Sequence, residues 1–227
     1  MTFLYENCCL FYKQCIFCHG RCYSAESICP GCRVDLPWPG STCQRCALPL
    51  SLNSPALCAD CIKHPPSFDQ VSALLLYKFP IDHCIQRIKS RGQPGYLGHL
   101  AQLAKQHFQD QPRPDCLIPI PMHWLSQQRR GFNQSSLLAD CLGKLLNIPV
   151  HKDRLIKTTA TEQQHRLSKA ARQKNLKGVF QCRGNISSHV VLIDDVMTTG
   201  ATLNEASRVL KQQGAQRVDA WVLARTP

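Results

Sequence analysis

Two constellations in the chain have the residue types and spacing for chemistry. The first is four cysteine pairs, each with two residues between its members: Cys15/Cys18, Cys29/Cys32, Cys43/Cys46 and Cys58/Cys61. Two thiolates three positions apart on a tight turn reach one tetrahedral ion, and a second such turn completes a four-sulfur shell for Zn2+. "CPGC" at Cys29–Cys32 has the Pro-Gly content that such a turn wants. Neighbouring pairs taken together give two sequential zinc ribbons. First with third and second with fourth gives a cross-braced arrangement, and the spacing fits both. A segment so poor in large apolar residues takes its stability from metal rather than from a core.

The second constellation is "VVLIDDVMTTGATLNEA", residues 190–206. Four apolar residues run into Asp194 and Asp195, followed by Thr198, Thr199, Gly200, Ala201 and Thr202, with helical periodicity from Leu203. Backbone N–H groups of a small-residue turn that enters a helix make an anion cradle. Carboxylate oxygens accept hydrogen bonds from vicinal hydroxyls and help to hold Mg2+. Side by side, the two features suit a phosphate that carries a polyol. The plain alternative is a pair of capping acids followed by an ordinary turn.

Charge narrows what else the chain meets. Its net charge is +12, and residues 122–183 hold 12 basic against 3 acidic side chains. Residues 1–66 hold 5 against 4, and residues 184–227 hold 4 against 4. The middle segment therefore faces anions, either phosphates of a small ligand or a nucleic acid backbone, or it is a solvated basic face. Arg129 and Arg130 offer guanidinium forks suited to pyrophosphate. Lys157, Gln164 and Arg172 fall where a lid or a nucleic-acid contact would sit, and Lys89 and Arg91 are further phosphate candidates. Trp38 and Trp124 could stack on single-stranded DNA. No basic leader opens the chain and no run of 18 apolar residues occurs, so no membrane insertion is expected. The expected location is cytoplasmic, where thiols stay reduced and the 15 cysteines are not a disulfide framework.

The elements that must position these groups divide the chain in two. The proline-bearing joint "KHPPSFDQ" (63–70) separates a cysteine-rich unit, 1–66, from a unit spanning 67–227. In the second unit, strands are expected at 71–77, 115–121, 189–195 and 217–226. Helices are expected over 81–108, broken near Pro94 and Gly95, and over 133–146 and 203–213. A loop is expected to carry Arg129 and Arg130 after the second strand. Strands alternating with helices argue an α/β fold with a parallel sheet covered on both faces. Ligands bind beyond the carboxyl ends of such strands, where the two acids lie.

The 190–206 stretch resembles the phosphoribosyl pyrophosphate signature of type I phosphoribosyltransferases. "IPIPMHWLSQQRRGFNQSSLLA" (118–139) and "TEQQHRLSKAARQKNLKGVF" (161–180) resemble two blocks of the ComF family, with matching positions that include Arg130, Gly131, Phe132, Asn133 and Gln134. The resemblance covers nearly the whole chain. It implies a double zinc-ribbon head, a parallel-sheet type I phosphoribosyltransferase-like body, and a part in DNA uptake during natural transformation. It also implies Mg2+ bound with phosphoribosyl pyrophosphate, and protein partners such as a DNA-uptake helicase or channel. In an enzymatic reading, Asp194, Asp195 and Arg130 are the catalytic set for phosphoribosyl transfer to an acceptor that the sequence does not name. In a binding reading, the sugar-phosphate site is kept as a sensor or scaffold beside single-stranded DNA.

Overall fold

The computed structural model describes residues 13–51, 54–158 and 178–227. The head has two short antiparallel strands, β1 (Lys13–Gln14) and β2 (Arg21–Cys22), and two five-residue helices, α1 (Pro30–Val34) and α2 (Ala59–Lys63). The body then runs β3 (Gln70–Leu76), α3 (Ile81–Arg91), α4 (Gly95–Gln109), β4 (Cys116–Pro119), α5 (Trp124–Arg130) and α6 (Gln134–Leu146). After these come β5 (Leu155–Lys157), β6 (Phe180–Cys182), β7 (His189–Met197), α7 (Ala201–Gln212) and β8 (Arg217–Arg225).

Four strands form one parallel sheet in the order β3-β8-β7-β4. β7 lies inside it, and Val190 to Ile193 are fully buried. A strand covered on both faces reads as an unbroken apolar run, which is why Val-Val-Leu-Ile carries no alternation. Val191 and Ile193 join the core built with α3, α4 and α6, while Val190 and Leu192 join the core built with α7. Helices therefore cover both faces, as the alternating pattern predicts.

The boundaries differ from the sequence expectation in ways that matter for function. β7 continues through both acids to Met197, because it pairs with β8 as far as Met197↔Arg225. β7 therefore runs two residues past its expected end, and both acids sit within the ladder. Arg129 and Arg130 lie on helix α5 and not on a loop; Gly131, at φ 83°, ends that helix. α7 begins two residues early, at Ala201. The antiparallel β5–β6 pair was not legible from periodicity, since each strand has only three residues.

The head is bonded to the sheet. Val71 N–H donates to Arg45 O (2.9 Å) and Leu76 N–H to Pro37 O (2.8 Å), so head backbone lies along the β3 edge. Unpaired strand edges are a liability, and this contact covers one. Ile16, Ile28 and Leu36 enter one core of the body; Cys43, Cys46, Cys58 and Cys61 enter the other, with Phe68, Val71 and Met197. Among the described residues no helix is long and apolar enough to cross a membrane.

Candidate functional site

The structure gathers the eight paired cysteines into two groups of four, Cys15/Cys18/Cys29/Cys32 and Cys43/Cys46/Cys58/Cys61, with the sulfurs of each group within 4.8 Å of one another. This is the sequential arrangement, not the cross-braced one. Cys18 Sγ lies 3.7 Å from Cys29 Sγ, and Cys46 Sγ lies 3.7 Å from Cys58 Sγ. A Zn–S bond of about 2.3 Å puts neighbouring sulfurs of a tetrahedron about 3.8 Å apart, so the groups fit zinc. Backbone N–H groups already point at the sulfurs, Cys29 N–H at Cys15 Sγ (3.4 Å) and Cys58 N–H at Cys43 Sγ (3.3 Å). Burial pushes the Cys15 and Cys43 thiols up, but N–H donors prevail and bring them down to about 6 and about 7. Cys32 and Cys61 are pushed up, first by burial and then by the neighbouring thiols. One thiolate forms readily in each group and opposes the others, a conflict that a bound dication removes.

The paired acids are held from different elements. Side chains alternate along a strand, so neighbouring acids meet different partners. Asp194 Oδ1 accepts hydrogen bonds from Ser135 Oγ and from Asp195 N–H, both at 2.9 Å. Asp195, 4% exposed, accepts from Val196 N–H through Oδ1 (3.0 Å). Lys89 Nζ of α3 lies 2.7 Å from Asp195 Oδ2, an ion pair that faces the acid from the helix side. Burial, and then the Asp195 charge, push the Asp194 carboxyl up to about 7 against the opposing pull of Lys89 and Ser135. Lys157 on β5 is lowered by burial, and the Asp194 charge partly restores it.

Ser135 reaches Asp194 because the start of α6 is fixed. Asn133 caps the helix by accepting Ser135 N–H at Oδ1 (3.0 Å), and its Nδ2 donates to Ile120 O (3.0 Å) just past β4. One amide thus ties the helix to the strand exit and aims Ser135 across the site. Arg130 Nη1 donates to Gln134 Oε1 (3.0 Å), one residue away from Ser135.

The turn after β7 has the features of an anion cradle. Gly200 caps α7 at φ 77°, a left-handed conformation that favours glycine; a Cβ there would also press on the flexible end of Met197, 2.4 Å away at Cε. Thr199 Oγ1 accepts Ala201 N–H (3.4 Å), and no acidic residue stands in the first turn of α7. Arg225, at the end of β8, donates to the carbonyls of Met197 (3.2 Å) and Thr198 from beneath. Beside the turn, a cavity of about 630 Å3 is lined by residues that include Thr198, Thr199, Phe68, His64 and Arg225.

The sequence-predicted groups divide accordingly. Asp194, Asp195 and the 198–202 turn lie at the carboxyl end of β7, and Arg130 stands on α5 against the start of α6. Lys89 pairs with Asp195. Lys157 lies on β5, within the electrostatic reach of Asp194. Gln164 and Arg172, and the side chains of Arg129 and Arg91, lie outside the described residues. Trp124 is 59% exposed; Trp38, 41% exposed, spends its indole N–H on Arg33 O (2.9 Å). Ser135 and Arg225 were missed. An Asn followed by helical periodicity is the signal that could have found the first; nothing local marks the second.

Comparison with known proteins points to one family. A family model described as "Phosphoribosyl transferase domain" matches residues 128–227. "Competence protein F" of Haemophilus influenzae is 33% identical over 95% of this chain and 98% of that protein. "DNA utilization protein YhgH" of Salmonella typhi is 31% identical over 88% of this chain and 90% of its own. "Competence protein ComFC" of Bacillus subtilis is 31% identical over 88% and 85%. Solved structures that align with it include a hypoxanthine phosphoribosyltransferase from Staphylococcus aureus, at 12% identity over 59% of this chain and 65% of that one, with a TM-score of 0.40. That last likeness is too slight to carry an argument. The full-length matches, the paired four-cysteine groups and the parallel-sheet body together make the chain a member of the ComF family.

Proposed function

We propose that the protein binds phosphoribosyl pyrophosphate at the carboxyl end of β7 and acts in the cytoplasm in DNA uptake, in contact with single-stranded DNA. A head of residues 1–66 holds two Zn2+, and a body of residues 67–227 holds the sugar-phosphate site. The observation that carries the reading is the adjacency of the Asp194–Asp195 pair to the glycine-centred turn at 198–202, both at the end of one buried strand. Asp194 and Asp195 accept the ribose hydroxyls, the turn N–H groups and threonine hydroxyls hold the 5′-phosphate, and the guanidinium groups of α5 are the candidates for the diphosphate. Ser135 orients Asp194, and Lys89 gives up Asp195 when the sugar arrives. The oxygen donors suit Mg2+, which when bound with the diphosphate draws charge from the leaving group.

The DNA role rests on the names of the relatives and on the basic middle segment, which includes Trp124 as an exposed ring. A DNA-uptake helicase or channel is the partner such a role needs. Calorimetric titration with phosphoribosyl pyrophosphate and Mg2+ tests the site, and a pyrophosphate-release assay separates a binding protein from a transferase. DNA binding is tested by anisotropy of a labelled single strand against salt. Replacing one phosphate-binding Lys or Arg of the basic segment by Ala is expected to flatten the log-log salt slope by about 0.7.

A further inference from the structure

Arg225 is 7% exposed at the end of β8. Its Nε donates to Cys46 O (3.0 Å), and its Nη1 donates to the carbonyls of Met197 and Thr198. Cys46 belongs to the second four-cysteine group, and Thr198 opens the phosphate turn. One rigid guanidinium therefore joins the backbone of a metal knuckle to the backbone of the turn. A planar fork of fixed donors transmits position in a way that a flexible ammonium does not. A parallel tie runs through the segment after α2, where Ser67 N–H donates to Asn204 Oδ1 of α7 (2.6 Å). Among the described residues no hydrogen bond joins the first four-cysteine group to the turn.

We propose that Arg225 is a positioning residue through which metal at Cys43, Cys46, Cys58 and Cys61 sets the shape of the 198–202 turn. Sugar-phosphate affinity then depends on that metal and not on the one at Cys15, Cys18, Cys29 and Cys32. The inference rests on the phosphoribosyl pyrophosphate reading above and adds a site-specific linkage to it. If the second metal leaves, the Cys46 carbonyl is no longer fixed by its knuckle, and Arg225 loses the anchor that holds the turn from beneath. Linkage is reciprocal, so ligand at the turn must also hold the second metal more tightly.

The test uses the full chain and two ligand variants at equivalent positions, Cys61→Ser and Cys32→Ser. Each should retain one zinc by metal analysis. Calorimetry with phosphoribosyl pyrophosphate and Mg2+ should show affinity down about tenfold or more in Cys61→Ser and nearly unchanged in Cys32→Ser. Arg225→Met should reproduce the weakening, Arg225→Lys should restore little of it, and the Arg225→Met/Cys61→Ser double variant should add nothing further. Misfolding of a variant is bypassed in the wild-type protein: phosphoribosyl pyrophosphate should slow the release of one of two zinc ions to a colorimetric chelator. A wild-type protein that binds no phosphoribosyl pyrophosphate overturns the parent reading. Wild-type binding with unchanged affinity in Cys61→Ser, or with both zinc release rates unmoved by ligand, overturns the linkage alone.

Discussion

The two four-cysteine groups are nearly the same object in different surroundings. In each, the first cysteine N–H bonds five residues ahead, Cys15 to Gly20 O and Cys43 to Leu48 O, both at 2.8 Å. In each, the residue after the second cysteine is left-handed, His19 at φ 61° and Ala47 at φ 54°. In each, the third cysteine caps a five-residue helix, Cys29 at ψ 156° and Cys58 at ψ 157°. The surroundings differ. Cys18 is exposed and Cys29 and Cys32 are half-buried, whereas all four residues of the second group are buried against the body. The cysteine spacing sets the local geometry; tertiary contact sets what depends on it.

The largest expected effect breaks that symmetry directly. Structural zinc supplies on the order of 10 kcal/mol of folding energy in isolated domains, and a site shared with a core passes its removal on. Cys61→Ser should therefore lower the calorimetric melting temperature far more than Cys32→Ser, which should loosen mainly residues 13–36. Equal shifts would mean that the burial of the second group carries no extra stability. Metal analysis of the wild-type protein should give two zinc ions per chain. A chelator should remove them in two phases, the open group first.

The acid pair lies on the buried side of the same contrast and should show it in its pH dependence. Asp194 is pushed up to about 7 in the fold, against an ordinary value near 3.9 in the unfolded chain. Between those values the folded state holds the extra proton, so stability should fall as pH rises from about 4 to about 7. Asp194→Asn should flatten that slope in denaturant titrations. Ligand binding should show the opposite trend: an ionised Asp194 accepts ribose hydroxyls, so affinity should rise through pH 7, and the rise should be smaller in Asp194→Asn. A profile identical in the variant would remove Asp194 from the site.

Smaller effects compare a buried cap with an open pair. Asn133→Ala removes a cap and the tie to Ile120, and should cost about 1–2 kcal/mol. Arg33 pairs with Glu26 (2.9 Å) and lies over the Trp38 ring beside the open group. Arg33→Ala should cost about 0.5 kcal/mol or less, because exposed pairs are screened. Chemical denaturation measures both, and a reversed ranking would contradict the burial argument.

Much of this could be read from residue order. Alternating apolar runs located all four parallel strands, and the break at Pro94 separates α3 from α4 as expected. The eight metal-type cysteines were legible because the spacing repeats, but which pairs combine was not, since both arrangements satisfy the same local turns. Of the unpaired cysteines in apolar sequence surroundings, Cys84 and Cys116 are buried at 4% and 2% exposed, whereas Cys141 and Cys182 are only half-buried. What stayed hidden was long-range. Lys89 meets Asp195 across 106 positions, and Arg225 meets Cys46 across 179. No local period encodes such pairs; they follow from which strand ends the sheet brings together. Short elements were hidden too, because α5 and the β5–β6 pair span too few residues for a period to emerge.

The central claim is that the acids at the end of β7 grip a sugar while the fold stands without them. Its most direct test is calorimetric titration of phosphoribosyl pyrophosphate with Mg2+ into wild-type protein and into the Asp194→Ala/Asp195→Ala variant. The account predicts saturable binding by the wild type and none by the variant, with the variant's circular dichroism and melting cooperativity retained. Retention is expected because the substitution removes two adjacent acids and leaves Lys89, about one-third exposed, free to turn to solvent. Undiminished binding by a folded variant would contradict the account, as would a variant that no longer folds, since the acids would then be structural groups of the strand end.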